Sequence, residues 1–245
     1  MRNQPQKMET NPLGRPLTIV FALPGDTFSN KFLMSWTLLF NYCVTHQINP
    51  LITNHVNSNK YYERNLCLGG NNLKGIQQKP FNGEINYDFI MWIDANQVFN
   101  VDSFLKLLTR DADVVSGMYL MENAKNFGVV TEWSKSYFEK HGSFEFLSTE
   151  DVSLMRKNKQ DPLIDVEYTG MGWMMVKKGV FEQLEYPWFR PQMTTMDIKD
   201  ASGNEVRVKE FPTEDVFFCR KVKELGMKVQ VDTSVIVGNE VKLVL

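Results

Sequence analysis

Apolar positions along the chain fall into two alternating periods. "LTIVFAL", Leu17 to Leu23, is a continuous β-branched run closed by Pro24-Gly25, the pattern of a buried strand and its loop. Ser29 then stands as an N-cap, and Phe32, Leu33, Trp36, Leu39, Phe40 and Cys43 recur at helical spacing, which predicts a helix laid over a sheet. "NPLIT" predicts a short second strand, and "NKYYERNLCLGG" a helix stopped by Gly69-Gly70. "YDFIMWID" follows as a strand, Phe104, Leu105, Leu107 and Leu108 mark a helix beginning near Val101, and "ADVVSGMYL" returns as a strand. This rhythm predicts an α/β fold with a mixed, mainly parallel central sheet and helices on both faces.

Beyond Met121 the periods are less regular. "FGVVTEW", "SFEFL" and "DVEYTGMGWMMV" read as strands, with a helix from Thr149 to Lys157 between the last two. "EVRVKEF" is expected to cross the sheet antiparallel, "TEDVFFCRKVKELG" to form a capped helix ending at Gly226, and "KVQVDTSVIV" to close the chain. No repeat or linker interrupts the pattern. The expected organisation is a polar, disordered leader over 1–16 and one domain over 17–245.

A chain of 245 residues is long enough to bury roughly 70% of its unfolded surface without staples. Its formal charge of −2, with Lys and Arg dispersed among Asp and Glu, gives no footprint for nucleic acid or an anionic membrane. Cys43, Cys67 and Cys219 are odd in number and lack CxxC spacing, which indicates neither a disulfide framework nor a zinc site and fits a reducing compartment. No run approaches the ~20 apolar residues that span a bilayer, and no signal-peptide pattern opens the sequence. The expectation is a soluble cytoplasmic protein.

Candidate chemistry collects near strand ends. In open α/β sheets ligands bind beyond the carboxyl ends of the strands, and Asp94 and Asn96 follow what reads as a central one. Turn chemistry alone also accounts for an isolated D-x-N. Arg64 and Asn65 point about 100° apart on a helix, so the arginine's planar fork suits Asp94 or a diphosphate while the amide suits a sugar or ribose. A solvated arginine and a helix-interrupting asparagine are the plainer alternative. In Thr213-Glu214-Asp215 the threonine is a good N-cap and the acids complement a helix dipole. Asp215 shares a helix face with Phe218, Cys219 and Val222 and so points inward, a candidate general base, whereas Glu214 leads toward Phe217 and Lys221. Gly172 permits close backbone approach, and Trp173 is either a stacking plate or core.

Taken in order, "YYERNLCLGG", "YDFIMWIDAN" and "PTEDVFFCRKVKELGMKVQVD" resemble three elements of the GT-A nucleotide-sugar glycosyltransferases: the helix with an Arg-Asn pair, the D-x-D strand, and the T-E-D helix of inverting members. The resemblance runs from about Leu17 to Val237. It implies an enzyme that moves a sugar from a nucleoside-diphosphate donor to a hydroxyl acceptor with inversion. By that likeness Asp215 and Glu214 are catalytic, Leu23, Pro24, Arg64, Asn65, Asp94 and Asn96 hold the donor, and Gly172 and Trp173 meet the sugar or acceptor. It also implies a divalent cation, Mn or Mg, at Asp94, Asn96 and Asn239. Here the chain departs from the pattern, because "IVGNEV" places Asn239 where many relatives carry a metal-binding histidine. Two neutral carboxamides are weak ligands for a hard cation, so the ion is expected to be weakly held or dispensable. Two other readings stay open. The asparagines favour a non-catalytic nucleotide-sugar-binding protein of the same fold. A sugar-phosphate nucleotidyltransferase would require a Gly-rich loop with Arg after the first strand, where "ALPGDTFSN" has one Gly and no Arg.

Overall fold

The computed structural model describes residues 9–200 and 202–241. The strands are β1 (Leu17–Ala22), β2 (Ile48–Thr53), β3 (Phe89–Ile93), β4 (Gln97–Val98), β5 (Val114–Met118), β6 (Val129–Val130), β7 (Leu163–Asp165), β8 (Tyr168–Thr169), β9 (Trp173–Lys177), β10 (Thr194–Lys199), β11 (Glu205–Glu210), β12 (Val229–Ile236) and β13 (Gly238–Asn239). Between them run helices α1 (Asn30–Thr45), α2 (Lys60–Cys67), α3 (Val101–Leu108), α4 (Lys135–His141), α5 (Thr149–Lys157), α6 (Val180–Gln183) and α7 (Glu214–Glu224).

A seven-stranded sheet in the order β2-β1-β3-β9-β5-β12-β7 forms the centre of one domain. β1 runs parallel to β2 and β3, and β12 to β5, while β9 is antiparallel to both of its neighbours and β7 to β12. Five strands therefore share one direction and two oppose it, a mixed and mostly parallel sheet. Residue alternation divides its two faces. Ile19, Phe21, Met91 and Ile93 pack with Phe32, Leu39 and Cys43 of α1 and Phe104, Leu107 and Leu108 of α3. Val20, Ala22, Ile90 and Trp92 face the other way, toward Cys67 of α2 and Val216, Phe218 and Val222 of α7. Each such large side chain stabilises the fold by about 1.5–3 kcal/mol relative to exposure. Among the described residues no helix is long and apolar enough to cross a membrane. The three cysteines are free and buried.

Several elements differ from their sequence patterns. β11, expected inside the sheet, pairs instead with β10 in a separate antiparallel hairpin. Its alternation of charged and apolar residues leaves one side exposed, which the doubly covered interior of this sheet does not accommodate. "SFEFL" forms no strand, and its Phe144 and Phe146 turn onto Tyr168 at 5.2 and 6.3 Å between ring centroids. "FGVVTEW" contracts to β6, and "DVEYTGMGWMMV" breaks into β8 and β9 at the intervening glycines. Of the leader, residues 1–8 lie outside the described residues. Residues 9–16 are tied to the domain: Asn11 is buried and donates to the carbonyls of Arg15 (2.7 Å) and His46 (3.1 Å), and Arg15 pairs with Asp88 at 2.8 Å.

On β12 Asp232 is fully buried, held by Arg110 Nη2 at 2.6 Å and Nε at 2.8 Å and by the Ser234 hydroxyl at 2.6 Å. Burial alone would raise its carboxyl, but the Ser234 and Arg110 hydrogen bonds outweigh it and hold the group below the usual carboxylate range. The stability it contributes is therefore present above the unfolded-state pKa and is lost as pH falls through the lowered folded value. Arg110→Met should cost about 3 kcal/mol in urea unfolding, because it strands a buried charge. A loss under ~0.5 kcal/mol would mean that Asp232 is satisfied without the arginine.

Candidate functional site

The loop after β1, the residues after β3 and β5, the entry to β9 and the N-terminus of α7 gather at the carboxyl ends of β1, β3 and β5. Their meeting point is Arg64. Glu63, Arg64 and Asn65 are consecutive and all buried on α2, which is tolerable only because each is satisfied. Glu63 accepts from Lys60 Nζ at 2.7 Å. Arg64 Nη1 and Nη2 reach the two oxygens of Asp94 at 3.1 and 3.2 Å, and Nε reaches Glu214 Oε1 at 3.1 Å. The guanidinium lies 5.6 Å from the centroid of the buried Trp92 ring. Burial opposes its charge, but Asp94 and then Glu214 outweigh that effect and raise its pKa, so the group is a fixed cation.

Asn65 has a different neighbourhood from the expected sugar. Its amide donates to the carbonyls of Tyr61 (2.7 Å) and Phe189 (2.6 Å) and accepts from Phe189 N–H at 3.3 Å. Both ends are engaged by main chain, pinning the segment that leads to β10. The 100° between adjacent helical residues separates the two tasks, charge on Arg64 and anchoring on Asn65.

Asp94 leaves β3 with its N–H bonded to the Gly172 carbonyl at 3.0 Å, so β9 fixes the turn. Gly172 in turn donates to the Tyr119 hydroxyl at 3.0 Å. A Cβ on Gly170 would overlap that hydroxyl, which explains why glycine flanks this contact. Tyr119 was not legible as a site residue, since it sits at the end of an ordinary strand pattern and meets its glycines only through tertiary folding. Burial and then Asp94 raise its pKa, so its hydroxyl stays protonated. Trp173 is fully buried, 4.6 Å from Phe99 between ring centroids, and offers no face to the cleft. Leu23 and Pro24 are buried at the end of β1, and Asn54 Nδ2 ties that loop by donating to the carbonyls of Leu23 (2.6 Å) and Gly25 (2.8 Å).

Glu214 and Asp215 diverge as helical geometry requires. Glu214 is held by Arg64. Asp215, half-buried, accepts through Oδ1 from the Thr213 hydroxyl and from Val216 N–H (2.9 Å). Thr213 occupies the N-cap position, yet its hydroxyl donates to Asp215 rather than capping the backbone. Burial first, and the neighbouring Glu214 second, push the Asp215 carboxyl up from its ordinary value. A carboxylate with one oxygen uncommitted and a raised pKa is suited to taking a proton.

Asn96 and Asn239, far apart in sequence, touch. Pairing of β4 with β13 brings them together, and Asn96 Nδ2 donates to Asn239 Oδ1 at 2.7 Å. Asn239 Nδ2 donates to the Leu120 carbonyl at 2.9 Å, and the buried Gln97, not anticipated from sequence, approaches both asparagines through Nε2 at 3.3 Å. A cleft of about 430 Å³ opens beside Asn96, bordered by Asp26, Thr27, Ser29 and Glu240. This donor set does not fit a resident divalent ion. Both Asp94 oxygens are taken by Arg64, the amide oxygens accept from amides, and among the described residues no group of three or more His, Cys, Asp or Glu is placed to hold a metal.

No family profile and no curated protein sequence matches the chain. Solved structures do resemble it. A197 from STIV is 16% identical, with 92% of this chain covering 87% of that one at a TM-score of 0.54. The shared fold is the mixed seven-stranded α/β domain. GalNAc-T7, solved with UDP, GalNAc and Mn²⁺, gives 10% identity and a TM-score of 0.47 over 93% of this chain and 44% of its own. The mannosyltransferase PcManGT from Pyrobaculum calidifontis, solved with GDP-Man and Mn²⁺, gives 10% and 0.46 over 98% and 61%.

The amide cluster yields a direct test. Titration of Mn²⁺ into the free protein should give no binding heat, whereas Asn96→Asp combined with Asn239→His should create a measurable site, since hard cations take carboxylate oxygen and imidazole far better than a paired amide. A double variant that binds no better than the original chain would show that the two positions do not serve a common ion.

Proposed function

We propose that this chain is a nucleotide-sugar glycosyltransferase that moves a sugar from a nucleoside diphosphate to a hydroxyl acceptor by single displacement, with inversion. The observation that carries the reading is the buried Arg64 guanidinium at the carboxyl end of β3, bridging Asp94 and Glu214 beside Asp215. In this reading the base of the donor lies against Leu23-Pro24-Gly25 and the diphosphate lies beyond β3. Guanidinium has five N–H donors, and the three bonds to Asp94 and Glu214 leave two for the departing diphosphate.

The acceptor oxygen attacks the anomeric carbon as the bond to the diphosphate oxygen breaks, and the electron pair of that bond leaves with the diphosphate. The acceptor proton passes to the uncommitted oxygen of Asp215. Glu214 is a positioning residue, because its pairing with Arg64 holds it turned from the acceptor. Asn65 acts at one remove, by anchoring the strand entry at Phe189. Gly172 lets main chain approach the sugar closely, while Trp173 supports it from within the core.

Released nucleoside diphosphate, measured across a panel of nucleotide sugars, tests the reading. Asp215→Asn should lower turnover at least ~10²-fold with donor affinity little changed, as loss of a general base does. Glu214→Gln should weaken donor binding more than it slows chemistry. Because its folded pKa is raised, Asp215 loses its basic form as pH falls through a value above the ordinary carboxylate range, so the acid limb of kcat/KM should lie there. The neutral Asn96–Asn239 pair supports a second reading, a binding protein without turnover. Saturable donor binding with no diphosphate released for any acceptor would favour it.

A further inference from the structure

The outward face of α1 is unusual for a solvent-facing helix. Its 16 residues, "NKFLMSWTLLFNYCVT", include a single charge, Lys31. The inward face is filled by Phe32, Ser35, Leu39 and Cys43, as the amphipathic pattern requires. Yet Leu33, Met34, Leu38 and Val44 on the other side are 59, 62, 57 and 46% exposed. Leu33, Thr37, Phe40 and Val44 follow a 4-3-4 spacing, as do Met34, Leu38, Asn41 and Thr45, the spacing with which one helix seats along another. The apolar surface continues onto β2. Ile52 lies on the same sheet face as Ile48, and α1 leaves it 51% exposed.

The neighbouring sheet edge is treated differently. Gln47 and Thr53 turn their carbonyls toward β1, accepting from Leu17 and Leu23, so by alternation Ile48, Pro50 and Ile52 turn their main chain outward from the edge strand. Pro50 therefore removes a donor from the centre of that free edge, a device that discourages strand-to-strand addition. The edge is guarded, while the helix beside it carries no guarding charge.

We infer that α1 is the contact face of a two-fold homodimer in which two α1 helices pack antiparallel, with Leu38 near the axis and Leu33 and Met34 of one copy against Val44 of the other. Charge selects this occupant. The lone Lys31 is offset by Glu240 at 3.8 Å, so two copies of the face meet without like-charge repulsion and provide no handle for an acidic or basic partner. An interfacial membrane helix would carry Lys or Arg along its polar border, which α1 lacks. At 1.5 Å per residue the helix is ~24 Å long, and with the Ile52 flank its footprint falls below the ~800 Å² per partner of a standard interface. The dimer is accordingly weak and concentration-dependent.

Sedimentation velocity of the full chain from 1 to 200 µM is the experiment, with roughly micromolar self-association expected. Met34→Glu with Leu38→Glu, both at exposed positions, should weaken dimerisation at least ~10-fold while leaving the thermal midpoint and far-UV spectrum unchanged. A chain that stays monomeric at 200 µM overturns the inference. So does a dimer indifferent to the two glutamates, and so does cosedimentation of the monomer with phosphatidylcholine vesicles that those glutamates abolish, which would assign the face to lipid.

Discussion

One cation joins the elements that meet at the carboxyl end of β3. Arg64 is buried on α2, and a buried guanidinium persists only when carboxylates surround it. Asp94 comes from the end of β3 and Glu214 from the start of α7, so the ion cluster ties together a helix, a strand end and a second helix that lie up to 150 residues apart in sequence. Its net contribution to stability is small or negative relative to an apolar substitute, because removing three charges from water is expensive. Its effect is on position. The Arg64–Glu214 contact, together with the apolar face of α7, fixes the first turn of that helix and with it the direction of Asp215.

Much of this was legible in the sequence. Periodicity placed β1, α1, β3, α3, β5 and α7, because those elements bury a full face against a neighbour and their spacing records it. The divergence of Glu214 and Asp215 followed from helical geometry alone. What stayed hidden depends on distant partners. β11 looked like a sheet strand because alternation records one covered face without naming what covers it. Tyr119 and Gln97 gave no local sign, since each acquires its neighbours only when β9 and β13 close over the edge. Helix geometry separated Asn65 from Arg64, but the main chain that takes up its amide lies 124 residues away at Phe189, beyond the reach of any local pattern.

The asparagine pair illustrates what neutral side chains do at a strand end. Asn96 and Asn239 are neutral, and a single hydrogen bond joins them, from Asn96 Nδ2 to Asn239 Oδ1. An amide offers a donor as well as an acceptor, so Asn239 can accept from Asn96 and donate onward to the Leu120 carbonyl, which a carboxylate cannot do. The turn after β3 is consequently closed by neutral groups. The charge at the site resides in Arg64 and the acids around it.

The hairpin of β10 and β11 shares no ladder with the central sheet. It departs at Phe189, clamped by Asn65, and returns at Thr213, one residue before α7. Its first root is held by Asn65, while at the tip Asp200 and residues 202–204 make, among the described residues, no hydrogen bond to the sheet. Residues can therefore be added to or removed from that tip without shifting the register of a single sheet strand, because loop-closure entropy changes by only about 0.6 kcal/mol per doubling of length. The length of this hairpin is a dimension in which the chain can vary while the central sheet stays in place.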